Sequence, residues 1–236
     1  MSALPDKLPV KPFTSPVNGA VELPGSKSIT NRALILAALC RDPVTLRGAL
    51  FSRDTEIMVK ALRSLGFKIN TSEKAKTIRV EGHGGMIPEA KASINVGNAG
   101  TAARFLPAML CLKKRGVYAL DGDEAMRRRP MKGLLDALRG LGAEIEFPKQ
   151  RDHFPFILHT HSLRGGIIEV DASASSQILS AMMIVAAWAK DRLDVQRVGQ
   201  TVSEPFVLMT AKMIVTNGLK ICGGLIGSDP VQYALE

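Results

Sequence analysis

One pattern constrains this chain more than any other: it is written three times. The first copy runs VELPGSKSITNRALILAALC and then VTLRGALFSRDTEIMVKALRSLGFKI. The second runs INVGNAGTAARFLPAMLCL and then VYALDGDEAMRRRPMKGLLDALRGLGAEIEF. The third runs IEVDASASSQILSAMMIVAAWA and then LDVQRVGQTVSEPFVLMTAKMIVTNGLKICG. The copies start at Val21, Ile94 and Ile168, a repeat of 73 or 74 residues. Identity between copies is low, but the order of residue types recurs. Periods this long mark repeated supersecondary units, none able to bury its apolar face alone, so that stacking must supply a common core.

Each copy predicts the same elements. A short strand (VEL, INV, IEV) leads into a small polar turn (PGSKS, GNAGT, DASASS). A helix follows that is apolar nearly all round, which places it inside the molecule rather than on its surface. A second strand (VTLRGA, VYALDG, LDVQRV) comes next, then a polar loop and an amphipathic helix, shown in the first unit by Ile57, Ala61, Leu62 and Leu65. Gly66, Gly140 or Gly142, and Gly218 stand where a helix end takes a left-handed residue. A last strand (FKI, AEIEF, LKICG) closes each unit, with intervening strands around Thr77–Val80 and Phe156–Leu158. The fold class is α/β: three units about a pseudo-threefold axis, buried helices inside, sheets and amphipathic helices outside.

That symmetry has a chemical consequence. Equivalent helix starts meet at one end of the axis, bringing together Lys27 and Ser28, Gly100 and Thr101, and Ser175, Ser176 and Gln177. The loops before the outer helices add Arg53, Arg129 and Ser203. Helix N-termini present unpaired N–H groups and partial positive charge. Three of them, with Lys27, Arg32 and Arg129, suit more than one anionic group. Arg32 follows Ser28 by one turn on the same helical face, and Arg129 is able to grip a carboxylate or phosphate with two parallel bonds. Taken singly, a Ser-rich helix start is a cap and the Arg127–Arg129 run is a solvated face. Recurrence in all three units is what points to a site.

The net charge of +9 suits anionic partners of several kinds, nucleic acid and membrane surfaces included, while aromatic residues at 5% argue against stacking on single strands. GSKS is not a P-loop, because Ser26 and Val21 occupy the glycine positions of that motif. His159 and His161 alternate on one strand face as two metal ligands do, without a third in view. Asp121, Asp123 and Glu124 read as a capped turn. Cys40, Cys111 and Cys222 are odd in number and form no CxxC pair, which fits a reducing cytoplasm. No apolar stretch is long enough to span a bilayer.

LPGSKSITNRALILAAL, NVGNAGTAARFL, RRRPM, SASSQIL and SEPF, in this order over Val21 to Gly223, together resemble the 5-enolpyruvylshikimate-3-phosphate synthases. The resemblance implies an enolpyruvyl transferase-like domain, an inside-out α/β barrel, and transfer of the enolpyruvyl group of phosphoenolpyruvate to the 5-hydroxyl of shikimate 3-phosphate with release of phosphate. It implies no metal and no organic cofactor. Lys27 matches the family lysine that touches both substrates and is the catalytic candidate. Ser28, Arg32, Ser175, Ser176, Gln177 and Ser203 match binders of shikimate 3-phosphate. Asn98, Gly100, Thr101, Arg129 and Gln177 match the surroundings of phosphoenolpyruvate. Phe206 stands in place of a Tyr near the shikimate ring, and Phe105 in place of a Pro found in some members, which bears on the shape around Gly100 and on the response to glyphosate.

The chain has 236 residues, roughly half of what the family uses. The expected division is therefore residues 1–19 as a strand segment of a second domain or hinge, 20–225 as the N-terminal enolpyruvyl transferase domain, and 226–236 as the start of a crossover to a C-terminal half. That half, the partner in this expectation, carries the general-base Asp, and the chain by itself is expected to bind shikimate 3-phosphate weakly and turn nothing over. The related UDP-N-acetylglucosamine enolpyruvyl transferases carry Asn where this chain has Ser28. A basic nucleic-acid module would bind with affinity that collapses in salt. The RNA 3′-phosphate cyclases share the repeat fold by analogy but rely on a His, and His83, His153, His159 and His161 all lie outside the helix-start loops.

Overall fold

The three apolar runs become three buried helices, α1 (Lys27–Leu39), α3 (Gly100–Leu110) and α6 (Ser176–Ala186). They have no polar face to offer solvent, so the only stable place for them is the middle of the molecule. In the computed structural model, which describes residues 7–173, 175–199, 203–216, 221–222 and 232–235, α3 packs against both α1 and α6. Burying a Leu or Ile side chain is worth roughly 1.5–3 kcal/mol. Leu34, Ile35, Leu36 and Leu39, each at most 1% exposed, therefore tie α1 firmly to the centre.

Three amphipathic helices lie around this layer: α2 (Arg53–Ser64), α5 (Lys132–Gly140) and α7 (Glu204–Thr216), with the short α4 (Glu124–Arg127) preceding α5. On α2, Met58, Val59, Ala61 and Leu62 face the core while Glu56, Lys60 and Arg63 face water. Gly66 and Gly142 end their helices with φ of +89° and +97°. These are left-handed values that cost a side chain about 1–2 kcal/mol and cost Gly nothing. Of the two candidates in the second unit the cap is thus Gly142, since Gly140 is still helical. Gly218 lies outside the described residues.

Each unit's strands form a sheet of one topology. In the second unit β4 (Lys91–Asn95), β5 (Gly116–Asp121), β6 (Glu144–Glu146) and β7 (Phe156–Thr160) stand in the order β4-β5-β7-β6. In the third, β8 (Gly166–Asp171), β9 (Leu193–Val198), β10 (Ile221–Cys222) and β11 (Gln232–Leu235) stand in the order β8-β9-β11-β10. The first two strands of each are parallel, with Ile94 opposite Leu120 and Ile168 opposite Val195. Parallel neighbours need a crossover connection, and α3 and α6 supply it. The first unit's sheet has β1 (Val44–Arg47), β2 (Ile69–Ser72) and β3 (Thr77–Val80) in the order β1-β3-β2, the same arrangement without its leading strand.

One expectation needs correcting. VEL forms no strand: Val21 and Leu23 are 84% and 81% exposed, and Glu22 pairs only with Lys76. With neither apolar side chain covered, nothing rewards alignment of this segment on the free edge of β1. The rest of 7–25 is likewise without helix or strand, and Leu8, Val10, Phe13 and Val17 are exposed. At the other end, Gln232–Leu235 forms a strand. As β11 it takes the place in the third sheet that β3 and β7 take in theirs. The remaining residues of 226–236 lie outside the described residues.

Among the described residues no helix is long and apolar enough to cross a membrane, and no three His, Cys, Asp or Glu side chains are grouped to hold a metal. His159 and His161 lie instead against Glu146 and Glu144 of the neighbouring strand, at 3.0 and 3.3 Å.

Candidate functional site

The first turns of α1, α3 and α6 meet at one end of the helical layer, and each starts differently. Ser26 caps α1, its hydroxyl accepting from Ile29 N at 3.4 Å, which leaves Lys27 and Ser28 in the first turn. Ser175 caps α6 and accepts from Gln177 N at 3.2 Å. The N-cap of α3 is Ala99, which has no side chain to give, so its first-turn N–H groups stay uncapped toward the site. The loop before it turns at Gly97, φ +49°, where a Cβ would press to 3.0 Å on Ile57 Cδ1. Gly100 shows how closely the units converge. A Cβ built there would lie 3.3 Å from Gln177 Oε1 of the third unit and 3.6 Å from Arg129 Nη1.

Two polar cavities open at this junction. The smaller, about 220 Å³, is lined by Ser28, Arg32, Ser175, Ser176, Gln177, Ser203 and Phe206. The larger, about 410 Å³, is lined by Lys27, Ser28, Arg53, Asp54, Asn98, Gly100, Thr101, Arg129 and Gln177. Ser28 and Gln177 line both and form the wall between them. The two residue sets expected from the sequence line two adjoining cavities, with two differences, the first being that Ser28, expected in one set only, lines both. The second is that Lys27, expected at both, lines only the larger, where its ammonium lies 2.9 Å from Asp54 Oδ2 on α2. A wider cavity of about 570 Å³ lies at the C-terminal ends of α1 and α6, beside Cys40 and Trp188. It offers no helix N-terminus and no comparable set of donors.

Arg32 forms the floor of the smaller cavity. It is 1% exposed, yet every partner it has among the described residues is neutral. Nε donates to Thr210 Oγ1 at 2.7 Å, Nη1 to Ser28 O at 3.1 Å, and Nη2 to Ser180 Oγ and Phe206 O, both at 3.4 Å. Burial lowers its pKa to about 10, which leaves it charged at neutral pH. A buried charge is normally paired, and these four bonds leave one of its five N–H groups for the cavity. Ser203, at the cavity rim, holds a left-handed φ of +57°, a strained conformation of the kind that collects at ligand sites.

Behind the larger cavity lies a second buried cation. Arg104 is 8% exposed; its Nη1 reaches Gly100 O at 3.5 Å and Met126 Sδ at 3.7 Å. Burial first, then the charge of Arg129, lowers its pKa to about 10. The Arg127–Arg129 run divides. Arg127 binds Asp121, with Nε 2.9 Å from Oδ1, and Arg128 binds Glu124 at 2.8 Å. Arg129 alone faces the cavity. Asp123 caps α4, accepting from Met126 N at 2.9 Å, so the acidic turn is a capped turn that aims Arg129. Buried Oδ1 of Asn98, in the same cavity, has no partner among the described residues.

The sequence reading did not single out Arg104, Asp54, Ser180 or Thr210. For Arg104 a signal was there: like Arg32, it is a lone interior charge in an otherwise apolar helix. Asp54 carried none, since an acid in a first helical turn is ordinary.

Residues 12–227 match the family described as EPSP synthase (3-phosphoshikimate 1-carboxyvinyltransferase). The chain is 50% identical over 220 residues to the 3-phosphoshikimate 1-carboxyvinyltransferase of Opitutus terrae, covering 92% of this chain and 51% of that protein. It is 41% identical over 217 residues to the protein of that name from Shewanella amazonensis, covering 92% and 50%. Among solved structures, EPSP synthase from Acinetobacter baumannii superposes with a TM-score of 0.76 at 24% identity, over 92% of this chain and 46% of that one, and so shares the fold. The chain spans about half the length of the curated relatives it matches.

Proposed function

The chain belongs to the EPSP synthase family, and from that premise we propose that its smaller cavity takes the phosphate and ring of shikimate 3-phosphate while its larger cavity takes phosphoenolpyruvate. In this reading Arg32 and the hydroxyls of Ser175, Ser176 and Ser203 receive the shikimate phosphate. Ser28 and Gln177, shared by both cavities, hold the two substrates against each other. Arg129 pairs with the carboxylate or phosphate of phosphoenolpyruvate, beside Asn98 and the uncapped start of α3 at Gly100 and Thr101. Lys27 is the catalytic residue.

The reaction begins when the methylene carbon of phosphoenolpyruvate takes up a proton, leaving C2 electrophilic. The 5-hydroxyl oxygen of shikimate 3-phosphate bonds to C2 and gives up its proton, forming a tetrahedral intermediate. The C2–O bond to phosphate then breaks, and a methyl proton leaves to restore the double bond. Both substrates are anions, so their approach is an electrostatic and entropic problem before it is a covalent one. Three helix starts and fixed cations address it. Lys27 holds charge next to the reacting carbon once the substrate draws its ammonium from Asp54. Asp54 is the one carboxylate among the described residues that line the two cavities. Since the chain spans about half of its relatives' length, the remaining proton-transfer groups belong in this reading to the other half. The free thiols of Cys40 and Cys111 suit the cytoplasm.

The observation that carries the proposal is Arg32, a buried guanidinium with no acid partner among the described residues, under a cavity rimmed by serines. An anion there gains charge-assisted hydrogen bonds worth roughly 1.5–3 kcal/mol each. Titration of the chain with shikimate 3-phosphate, followed by amide NMR, is the test. Shifts are expected at Ser28, Arg32, Ser175, Ser176 and Gln177. No shifts, or equal shifts with an arbitrary oligonucleotide that vanish in salt, would overturn the assignment in favour of a general polyanion surface.

A further inference from the structure

Arg32 poses a physical problem that its hydrogen bonds do not solve. Four bonds to neutral oxygens satisfy most of its donors, but they do not balance its charge. The charge must nevertheless stay unbalanced, because a carboxylate beside it would cancel the field that attracts an anion. The solution lies in two rings. The guanidinium carbon is 5.2 Å from the ring centroid of Phe105 on α3 and 5.7 Å from that of Phe206 on α7. Both distances are within the reach of a cation–π interaction, in which the negative face of the ring steadies a cation while carrying no net charge itself.

The position of Phe105 is informative. It is the sixth residue of α3, as Arg32 is the sixth of α1, so equivalent places in successive repeats face each other at the pseudosymmetry axis. Phe105 is 1% exposed and lines neither cavity. Any effect it has on an anion must pass through Arg32. Phe206 is 38% exposed and is itself part of the smaller cavity's wall.

We propose that Phe105 and Phe206 are positioning residues that hold the Arg32 guanidinium between aromatic rings, un-neutralised and already aimed at the smaller cavity before an anion arrives, so that Phe105 raises anion affinity by preorganising Arg32, without contact with the anion. This rests on the reading of that cavity as an anion site, and shikimate 3-phosphate is the anion which that reading names.

Phe105 is core, so truncation alone confuses packing with electrostatics. The test is site-specific replacement of Phe105 by mono-, di- and trifluorophenylalanine, which keep its shape and weaken the negative face of the ring. Affinity for shikimate 3-phosphate and for inorganic phosphate is expected to fall stepwise, by about three- to tenfold at the trifluoro ring, with the melting temperature nearly constant. Phe206→Tyr retains the aromatic face and is expected to retain phosphate affinity, whereas Phe206→Leu lowers it. In the ligand-free chain the Arg32 Nε–H resonance is expected to move in Phe105→Leu, as the ring is lost and the guanidinium is no longer held in place. Flat affinity across the fluorine series, or an Arg32 resonance indifferent to Phe105, overturns the proposal. If inorganic phosphate binds with fluorine-sensitive affinity and shikimate 3-phosphate does not bind, the substrate assignment falls and the aromatic clamp stands. If neither anion binds, the proposed contribution to anion affinity falls as well.

Discussion

The ammonium of Lys27 lies 2.9 Å from Asp54 Oδ2, so the catalytic candidate is already held by an acid on the neighbouring helix. Any substrate anion in the larger cavity competes with that acid. Asp54→Asn is therefore expected to tighten phosphoenolpyruvate binding by up to about fivefold, the range of a partly exposed ion pair. The same change removes an acid from the first turn of α2 and should cost about 0.3–1 kcal/mol of stability. Calorimetric titration with phosphoenolpyruvate and a thermal melt check the two effects separately. Weaker binding by the variant would mean that Asp54 orients Lys27 rather than restrains it.

Arg32 predicts a trade of stability against binding. Burial holds its folded pKa at about 10, below the ordinary guanidinium value. Between those values the unfolded chain binds the proton more tightly, so stability rises with pH there, and below about pH 10 the whole cost of the buried charge is present. Arg32→Met removes that cost. The apo variant is expected to melt no lower than the parent, while affinity for shikimate 3-phosphate falls about 10- to 100-fold, the loss of one or more charge-assisted bonds. The rise in melting temperature that the ligand gives the parent should disappear.

The architecture was legible because it rests on periodicity. Apolar runs without a polar face dictated α1, α3 and α6, and the order of residue types recurring in the three copies placed the strands, LDVQRV falling on β9 residue for residue. The site was legible through the same repetition, since three equivalent turns had to converge. What the sequence hid were contacts made across units. That Arg32 meets Thr210 and Ser180, far along the chain, depends on helix packing that no local pattern encodes. VEL misled because a sequence fit for a strand forms one only where a neighbouring edge and a cover for its side chains exist.

Gly100 has room for no more than it carries. An added methyl would lie 3.3 Å from Gln177 Oε1 and 3.6 Å from Arg129 Nη1, both ends of flexible side chains. Gly100→Ala should therefore fold normally, with a melting temperature within a few degrees of the parent. It should crowd Arg129 and Gln177 and weaken phosphoenolpyruvate binding about tenfold, with a smaller loss for shikimate 3-phosphate, because Gly100 and Arg129 line only the larger cavity while Gln177 lines both. Parallel titrations with the two substrates decide it. Equal losses for both would show that the cavities do not act separately.

The placement of Arg129 depends in turn on Asp121. The guanidinium of Arg127 hydrogen-bonds the Asp121 carboxylate and is the largest cause holding its pKa below the usual value, with Gly122 N adding to it. A carboxyl whose folded pKa is depressed stabilises the fold above its unfolded pKa, near 4, and loses that contribution as pH falls through the folded value. Acid should accordingly loosen the turn that carries Arg129 below about pH 4, before the buried helices are affected. Amide NMR from pH 6 to 3 is expected to show Gly122 through Arg129 moving first. In Asp121→Asn the carboxylate is absent at every pH, so those residues should already be displaced at pH 6 and should move little on acidification. Phosphoenolpyruvate should bind that variant more weakly at neutral pH. Shifts of Gly122 through Arg129 in Asp121→Asn that match the parent's at pH 6 would show that the Asp121–Arg127 pair does not position Arg129.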